Sequence, residues 1–158
     1  MKIKKIFLLV CLLNSFIVLS QEFLMQNGTE TACSGTFLDS GGSTANYGND
    51  ESFVYTICPE NAGQFVRLDF SSFVTQTGDE LTIYDGDSTT ADSLGTFSNT
   101  NSPGIIIASS TSGCLTFEFI SSPAVGGTGW EATISCYEPC QTITAVLDST
   151  NPVPNMDG

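Results

Sequence analysis

Acidic side chains and cysteines are the residues of this chain that could do chemistry. Histidine is absent from the 158 residues, which contain 17 aspartates and glutamates but only 4 lysines and arginines. Without histidine, no Ser-His-Asp or Cys-His catalytic arrangement can be built, and the common catalytic zinc sites are excluded. Paired carboxylates can hydrolyse glycosides, but these acids are scattered, mostly in predicted turns, and no pair stands out. We therefore predict that the chain is not an enzyme.

The charge balance limits the possible partners. The formal net charge is −13, and three of the four basic residues (Lys2, Lys4 and Lys5) lie at the N-terminus, so that Arg67 is the one cation of the remaining sequence. Phosphate binding needs clustered lysine or arginine, which excludes nucleic acid and anionic lipid. An acidic surface suits a soluble exported protein or a protein that binds divalent cations.

Residues 1–21 are predicted to be a secretory signal peptide. A basic start precedes an apolar run from Ile6 to Leu19, and the sequence turns polar at Ser20. The run is shorter than the roughly 18 to 20 apolar residues that span a bilayer, which favours cleavage near Ser20 or Gln21 over a membrane anchor. We expect a secreted or cell-surface protein that is not inserted in the membrane after cleavage.

The cysteines indicate a disulfide framework, as expected outside the cytoplasm. Cleavage would leave an odd number, namely Cys33, Cys58, Cys114, Cys136 and Cys140. The sequence also ends abruptly at Gly158. These two features predict a fragment of a longer protein, in which Cys140 pairs with a downstream cysteine or stays free.

Apolar and polar residues alternate with a period of two between Cys33 and Cys136, which is typical of β-strands. Ile105–Ile107 is instead a continuous apolar run, which predicts a strand buried on both faces. Many short strands at roughly ten-residue spacing predict an all-β fold, an antiparallel β-sandwich or barrel. The predicted core consists of Phe53, Tyr55, Leu68, Phe70, Leu81, Ile83, Leu115, Phe117, Phe119 and Trp130.

These patterns divide the chain into four segments. The signal peptide is followed by an N-terminal leader at 22–32 and by the β-domain at 33–136. Residues 137–158 are predicted to be a linker and the start of a truncated following domain, because apolar residues alternate again after residue 142.

The motifs of residues 33–136 occur in an order that resembles the CUB domain, an extracellular module with a jelly-roll β-sandwich fold. The motifs that carry the resemblance are Cys33-Ser34-Gly35-Thr36-Phe37, Tyr47, Cys58, 66–73, Gly78-Asp79-Glu80-Leu81-Thr82-Ile83-Tyr84-Asp85-Gly86, 115–122 and Gly129-Trp130-Glu131-Ala132. The variant looks like the bacterial form of the family, which stands at the front of large surface proteins. Immunoglobulin-like repeats often follow it, so the segment after Cys140 is expected to begin one.

The resemblance also bears on the disulfide pairing. The positions of the animal family's second bridge are occupied by Thr77 or Gly78 and by Ser98, so that bridge is absent. Antiparallel pairing of the last two strands could bring Cys114 and Cys136 within bridging distance. We predict the pairs Cys33–Cys58 and Cys114–Cys136, with Cys140 unpaired in the fragment.

A calcium site is the one cofactor site that the resemblance raises. Many animal members bind Ca²⁺ through three acids, and Asp79 matches the second of these positions. The first position falls near Thr75 or Gln76, and the third is Ser122. Asp79 is therefore the candidate Ca²⁺ ligand, and the alternative is that Asp79 and Asp85 have structural roles, Asp85-Gly86 being a common turn sequence.

The resemblance and the missing catalytic residues together predict a non-catalytic recognition or adhesion module. Its partner would be an extracellular protein or a polysaccharide, engaged through the loops. One alternative is an accessory domain of a secreted hydrolase whose catalytic domain lies beyond Gly158. The other is a structural spacer in a surface protein.

Overall fold

The computed structural model describes residues 21–124 and 126–139, so the predicted signal peptide up to residue 20, Cys140 and the predicted following domain lie outside the described residues. The described part is all-β apart from one 3-10 turn, Gly42–Thr44. Its strands are β1 (Glu22–Leu24), β2 (Gly28–Thr31), β3 (Ser34–Leu38), β4 (Ser52–Cys58), β5 (Phe65–Val74), β6 (Glu80–Asp85), β7 (Asp92–Phe97), β8 (Ile105–Ile107), β9 (Leu115–Ile120) and β10 (Gly129–Tyr137). This part of the chain contains no helix long and apolar enough to cross a membrane.

The strands form two five-stranded sheets, with the orders β1-β3-β10-β5-β8 and β2-β4-β9-β6-β7. Most neighbouring strands are antiparallel, as predicted, but β1 pairs with β3 and β2 pairs with β4 in parallel. The parallel pairs arise because the chain alternates between the two sheets over its first four strands. The predicted all-β sandwich is confirmed, with mixed rather than purely antiparallel sheets.

Residues 22–31 belong to the sandwich and are not a leader that precedes it. They form β1 and β2, which are edge strands of opposite sheets. Phe23 is 5% exposed and Met25 is 1% exposed, so both contribute to the core. The sequence did not reveal these strands because each is only three or four residues long, too short for a period-two pattern to be detected.

The core lies between the two sheets, as the period-two alternation of apolar residues predicted. All of the predicted core residues are buried except Phe53, which is partly buried and packs against the cluster. Phe37 and Trp130 lie near the centre, with ring centroids 5.8 Å apart. Each large apolar side chain buried here contributes roughly 1.5–3 kcal/mol of folding free energy.

The prediction that Ile105–Ile107 is buried on both faces is wrong. β8 is an edge strand that pairs only with β5 among the described strands. Ile106 packs against the core, whereas Ile105 is 55% exposed and Ile107 is 44% exposed. The continuous apolar run was misleading because no other strand of the described residues covers the outer face of β8.

The predicted disulfide pairs are also wrong. The structure joins Cys33 to Cys136 and Cys58 to Cys114, with Cα–Cα distances of 4.8 and 4.2 Å. The register explains the pairing, because β3 lies beside β10 in one sheet and β4 lies beside β9 in the other. Each bridge therefore links neighbouring strands of one sheet, whereas either predicted pair would have had to join the two sheets.

Candidate functional site: the loop end of the sandwich

The two ends of the sandwich are stabilised by different chemistry. One end, called here the loop end, consists of the connections 39–51, 75–79 and 121–128 between strand ends. Both disulfides lie at the opposite end, called here the disulfide end. At the loop end, three buried or partly buried carboxylates accept hydrogen bonds from the loops and hold them against one another.

Asp79 joins all three loops. It is 0% exposed, and the Tyr47 hydroxyl donates to its Oδ2 at 2.6 Å while the Ser122 N–H donates to its Oδ1 at 2.7 Å. Burial acts to raise the pKa of Asp79, but the hydrogen bonds from Tyr47 and Ser122 outweigh it, and the pKa is lowered below 3.8. Asp79 is therefore held as a carboxylate by protein donors.

Tyr47 is the second member of this junction. Its ring packs edge-on against Phe119, with centroids 5.0 Å apart, and its hydroxyl accepts the Gln76 N–H at 2.8 Å. Burial and the hydrogen bond to Asp79 raise the pKa of Tyr47 to about 12. The Tyr47 hydroxyl donates to Asp79 and accepts from Gln76, and both residues belong to the connection 75–79. These two hydrogen bonds fix the position of the hydroxyl.

Asp39 organises the start of the first loop. Its Oδ1 accepts the Gly41 N–H at 2.8 Å, and its Oδ2 accepts the Trp130 N–H at 3.2 Å. Burial raises its pKa to about 6, with a further contribution from the nearby Glu51 carboxylate and opposition from the backbone hydrogen bonds. Glu51 in turn accepts from the Ser40 hydroxyl at 2.7 Å and the Gly48 N–H at 2.8 Å.

The raised pKa of Asp39 does not make it a catalytic acid. Perturbed carboxyls do cluster at active sites, but Asp39 is only 1% exposed and both of its oxygens are occupied by backbone donors. A substrate atom therefore has no route to it. Its role is to fix the loop against the start of β10.

The glycine-rich segment before Trp130 packs closely against these carboxylates and Tyr47. A Cβ at Gly129, where φ is +70°, would collide with the Asp39 carboxylate, and a Cβ at Gly126 would collide with the Tyr47 carbonyl. Glycine is needed at these two positions because another part of the chain approaches the backbone too closely for a side chain.

The surroundings of Asp79 do not fit the requirements of a calcium site. Ca²⁺ takes six to eight oxygen ligands, with carboxylates supplying the charge. No group of three or more His, Cys, Asp or Glu side chains that could hold a metal occurs within the described ranges. The hydroxyl of Tyr47 and the amide of Ser122 point their hydrogens at the two Asp79 oxygens, where a cation would need lone pairs.

Asp85 has a comparable role at the disulfide end. Its carboxylate accepts the Ser109 and Ser110 N–H groups at 2.8 and 3.0 Å and the Ser109 hydroxyl at 2.5 Å. Burial acts to raise the pKa of Asp85, but the Ser109 and Ser110 hydrogen bonds outweigh it and lower the pKa. The structure thus gives Asp79 and Asp85 separate structural roles at opposite ends and does not bring them together.

The outer surface of the loop end is polar and contains a hollow. Ser43, Thr44, Ala45, Asn46 and Thr128 are exposed and, with Gly42, line a hollow of about 240 Å³. Directly beneath it, the Asn46 amide donates to the Gly126 carbonyl at 2.9 Å. Sequence reasoning did not single out these residues, since a run of small polar residues reads only as a loop.

Comparison with known proteins identifies this architecture. A family model described as the CUB domain matches residues 27–134. A crystal structure of the MASP-1 CUB2 domain bound to Ca²⁺ is 22% identical, with a TM-score of 0.56, and the match covers 70% of this chain and 98% of that chain. The resemblance noted in the sequence is confirmed.

Two larger solved structures also match. The full extracellular region of zebrafish Gpr126/Adgrg6 is 20% identical, with a TM-score of 0.60, over 73% of this chain and 15% of that chain. The CUB1-EGF-CUB2 region of human MASP-1/3 is 20% identical, with a TM-score of 0.57, over 75% of this chain and 44% of that chain. This chain therefore spans less than half of each of these two larger structures, and the likeness at these identities concerns the fold.

Proposed function

The chain belongs to the CUB domain family, and from that premise we propose that it is a non-catalytic extracellular module that recognises a protein partner through its loop end. CUB domains are generally non-catalytic, and they commonly mediate protein interactions outside the cell. Two disulfides in the described part support an extracellular location.

The observation that carries the proposal is that two sets of hydrogen bonds, the Tyr47–Asp79 junction and the bonds of Asp39 to Gly41 and Trp130, lie beneath an exposed polar surface. A loop that is already ordered loses little conformational entropy on binding, so preorganised loops bind better than mobile ones. The buried carboxylates fix the loops from below, and exposed side chains above them, such as Thr44 and Thr128, face the solvent. The absence of histidine and the burial of Asp39 and Asp79 support a non-catalytic role.

The test is a binding screen of the full chain against arrayed extracellular proteins and arrayed polysaccharides. For any protein that binds, we expect Thr44→Lys and Thr128→Lys to weaken binding at least about tenfold, because a long side chain in the hollow blocks contact at the centre of the interface. Thr90→Lys is the matched control, since Thr90 is exposed at the disulfide end.

Binding that survives both loop-end substitutions and is lost on Thr90→Lys would overturn the assignment to the loop end. Binding to polysaccharides alone would show that the partner is not a protein. The module would then still be a recognition module, but for a different class of ligand.

A further inference from the structure

A crevice of about 330 Å³ opens on one side of the sandwich, between the edge strands β1 and β2. Its walls include Glu22 and Leu24 from β1, Gln26 from the connection, and Glu30 from β2. Tyr55 of β4 forms its floor. The crevice exists because β1 and β2 belong to opposite sheets and the chain bridges them through only three residues.

Tyr55 belongs to the core of the sandwich and also lines this surface crevice. The residue is 1% exposed and its ring stacks on Phe37 in the core, with centroids 5.8 Å apart. No group among the described residues donates to or accepts from the Tyr55 hydroxyl, and this oxygen is not sealed from solvent, so it remains available to a ligand in the crevice. Glu30 and Tyr55 line the same crevice, and burial and the negative charge of Glu30 raise the pKa of Tyr55 to about 12.

The two carboxylates of the crevice are also without partners. Neither Glu22 nor Glu30 makes an ion pair or a side-chain hydrogen bond within residues 21–124 and 126–139. Arg67, the one basic residue in those ranges, lies three strands away from β1 and pairs with Asp69 at 3.0 Å. Negative charge therefore surrounds this hydroxyl, and no cation of the described residues balances it.

We propose that the crevice between β1 and β2 binds a basic side chain, that of a lysine or an arginine, presented by a protein partner. The cationic head group would donate to Glu22 and Glu30 in charge-assisted hydrogen bonds and to the oxygen of the Tyr55 hydroxyl. Leu24 offers an apolar wall, 38% exposed, for the methylene stem of the ligand.

A lone metal ion suits the crevice less well than a side chain does. Only two carboxylates line it, which is fewer than the charge and oxygen number that Ca²⁺ prefers. Its volume is also at the lower end of the range found for small organic ligands, well above that of one ion. The site is distinct from the loop end and does not depend on the function proposed there.

The test uses the full chain labelled with ¹⁵N and titrated with three probes, the N-acetyl methylamides of lysine, arginine and norleucine. We expect lysine, arginine or both to shift the amide resonances of β1, β2 and Tyr55 with millimolar affinity, and the uncharged norleucine probe to have no effect. Shifts should shrink as salt is added, because the carboxylates are exposed and screened.

Two variants locate the site. Glu30→Gln is expected to weaken binding up to about fivefold, the range for one exposed ion pair. Tyr55→Phe is expected to weaken it while leaving stability unchanged, since it removes only a hydroxyl that makes no hydrogen bond within the described ranges. Asp87→Asn is the matched control, because it removes one exposed charge near the opposite edge of the same sheet as β2.

The proposal fails if none of the probes shifts the crevice resonances, or if norleucine acts as well as lysine and arginine. It also fails if Asp87→Asn weakens binding as much as Glu30→Gln does, because the effect would then reflect net charge rather than this crevice.

Discussion

At the scale of single residues, the acids of the loop end act as hydrogen-bond acceptors for the chain itself. Asp39 and Asp79 are buried, and together they accept from two backbone amides of the loops, the Trp130 amide and one phenol. Hydrogen bonds to charged groups contribute roughly 1.5–3 kcal/mol each, and an unsatisfied buried partner costs a similar amount. The stability of the loop end should therefore respond sharply to changes in single polar atoms.

The Tyr47 hydroxyl gives the most direct test of this point. Tyr47→Phe leaves the ring packed on Phe119 but removes the donor to Asp79 and the acceptor for the Gln76 amide. We expect a loss of about 2 kcal/mol in the free energy of unfolding, measured by urea denaturation. Tyr55→Phe is the control, because it removes a hydroxyl that has no hydrogen-bond partner in the described part of the chain from an equally buried tyrosine; equal losses in both variants would contradict the account.

Close packing at Gly129 can be separated from the conformational preference of glycine. Gly129 and Gly104 have nearly the same positive φ, +70° and +67°, but only Gly129 has another residue, Asp39, in the space that a Cβ would fill. Both alanine variants incur the left-handed backbone cost, of roughly 1–2 kcal/mol. Gly129→Ala should therefore lower the unfolding free energy by at least about 1 kcal/mol more than Gly104→Ala. Similar values would show that Asp39 moves aside freely.

At the scale of elements, the N-terminal strands complete both sheets. β1 and β2 each cover an edge, and the residues between them carry Met25 into the core. The family match begins only at residue 27, so β1 and Met25 lie before the matched region. They contribute to the stability of this chain all the same.

Neighbouring substitutions test that contribution. Met25→Ala removes a side chain that is 1% exposed and should lower the unfolding free energy by about 2–4 kcal/mol. Leu24→Ala removes one that is 38% exposed and should cost under about 1 kcal/mol. If both variants unfold at the same urea concentration as the parent chain, the contribution of Met25 to the core is refuted.

The sequence allowed the middle of the fold to be predicted more fully than its ends. Period-two alternation located β4, β5, β6, β9 and β10, because each is long enough to show two or three inward residues. It could not show which strands become neighbours, and the disulfide pairing depends on that order. The exposure of Ile105 is likewise set by the position of β8 at a sheet edge.

The site was harder to predict than the fold. Asp79 was recognised from its motif, but its contacts with Tyr47 and Ser122 join residues 32 and 43 positions apart in the chain. The roles of Asp39 and Glu51 were missed because acids in a segment rich in glycine, serine and asparagine ordinarily indicate only a turn or loop. The long-range register that buries these acids cannot be read from local patterns.

At the scale of the whole molecule, the acids impose a definite pH dependence. The pKa of Asp39 is raised to about 6 in the folded chain, so between about pH 4 and 6 the folded state binds more protons than the unfolded state. Stability therefore increases as the pH falls through 6. Asp79 and Asp85 have lowered pKa values, and their stabilisation is lost as the pH falls below about 4.

Urea denaturation at several pH values measures this profile. We expect the unfolding free energy to be about 1 kcal/mol higher at pH 5 than at pH 7 because Asp39 takes up a proton, and to fall again below pH 4. Asp39→Asn should abolish the difference between pH 7 and pH 5, because residue 39 no longer titrates. An unchanged difference in this variant would assign the effect to other acids.

The central claim is that the loop end is a recognition surface preorganised by the protein's own hydrogen bonds. Backbone ¹⁵N order parameters of the free chain test it most directly, measured for residues 46–51, 76–79 and 121–128 with a chelator and again with millimolar Ca²⁺. The account predicts values of about 0.85, as in rigid backbone, under both conditions. Values below about 0.6 with the chelator that rise on addition of Ca²⁺ would contradict it, because the loops would then depend on a metal for their order.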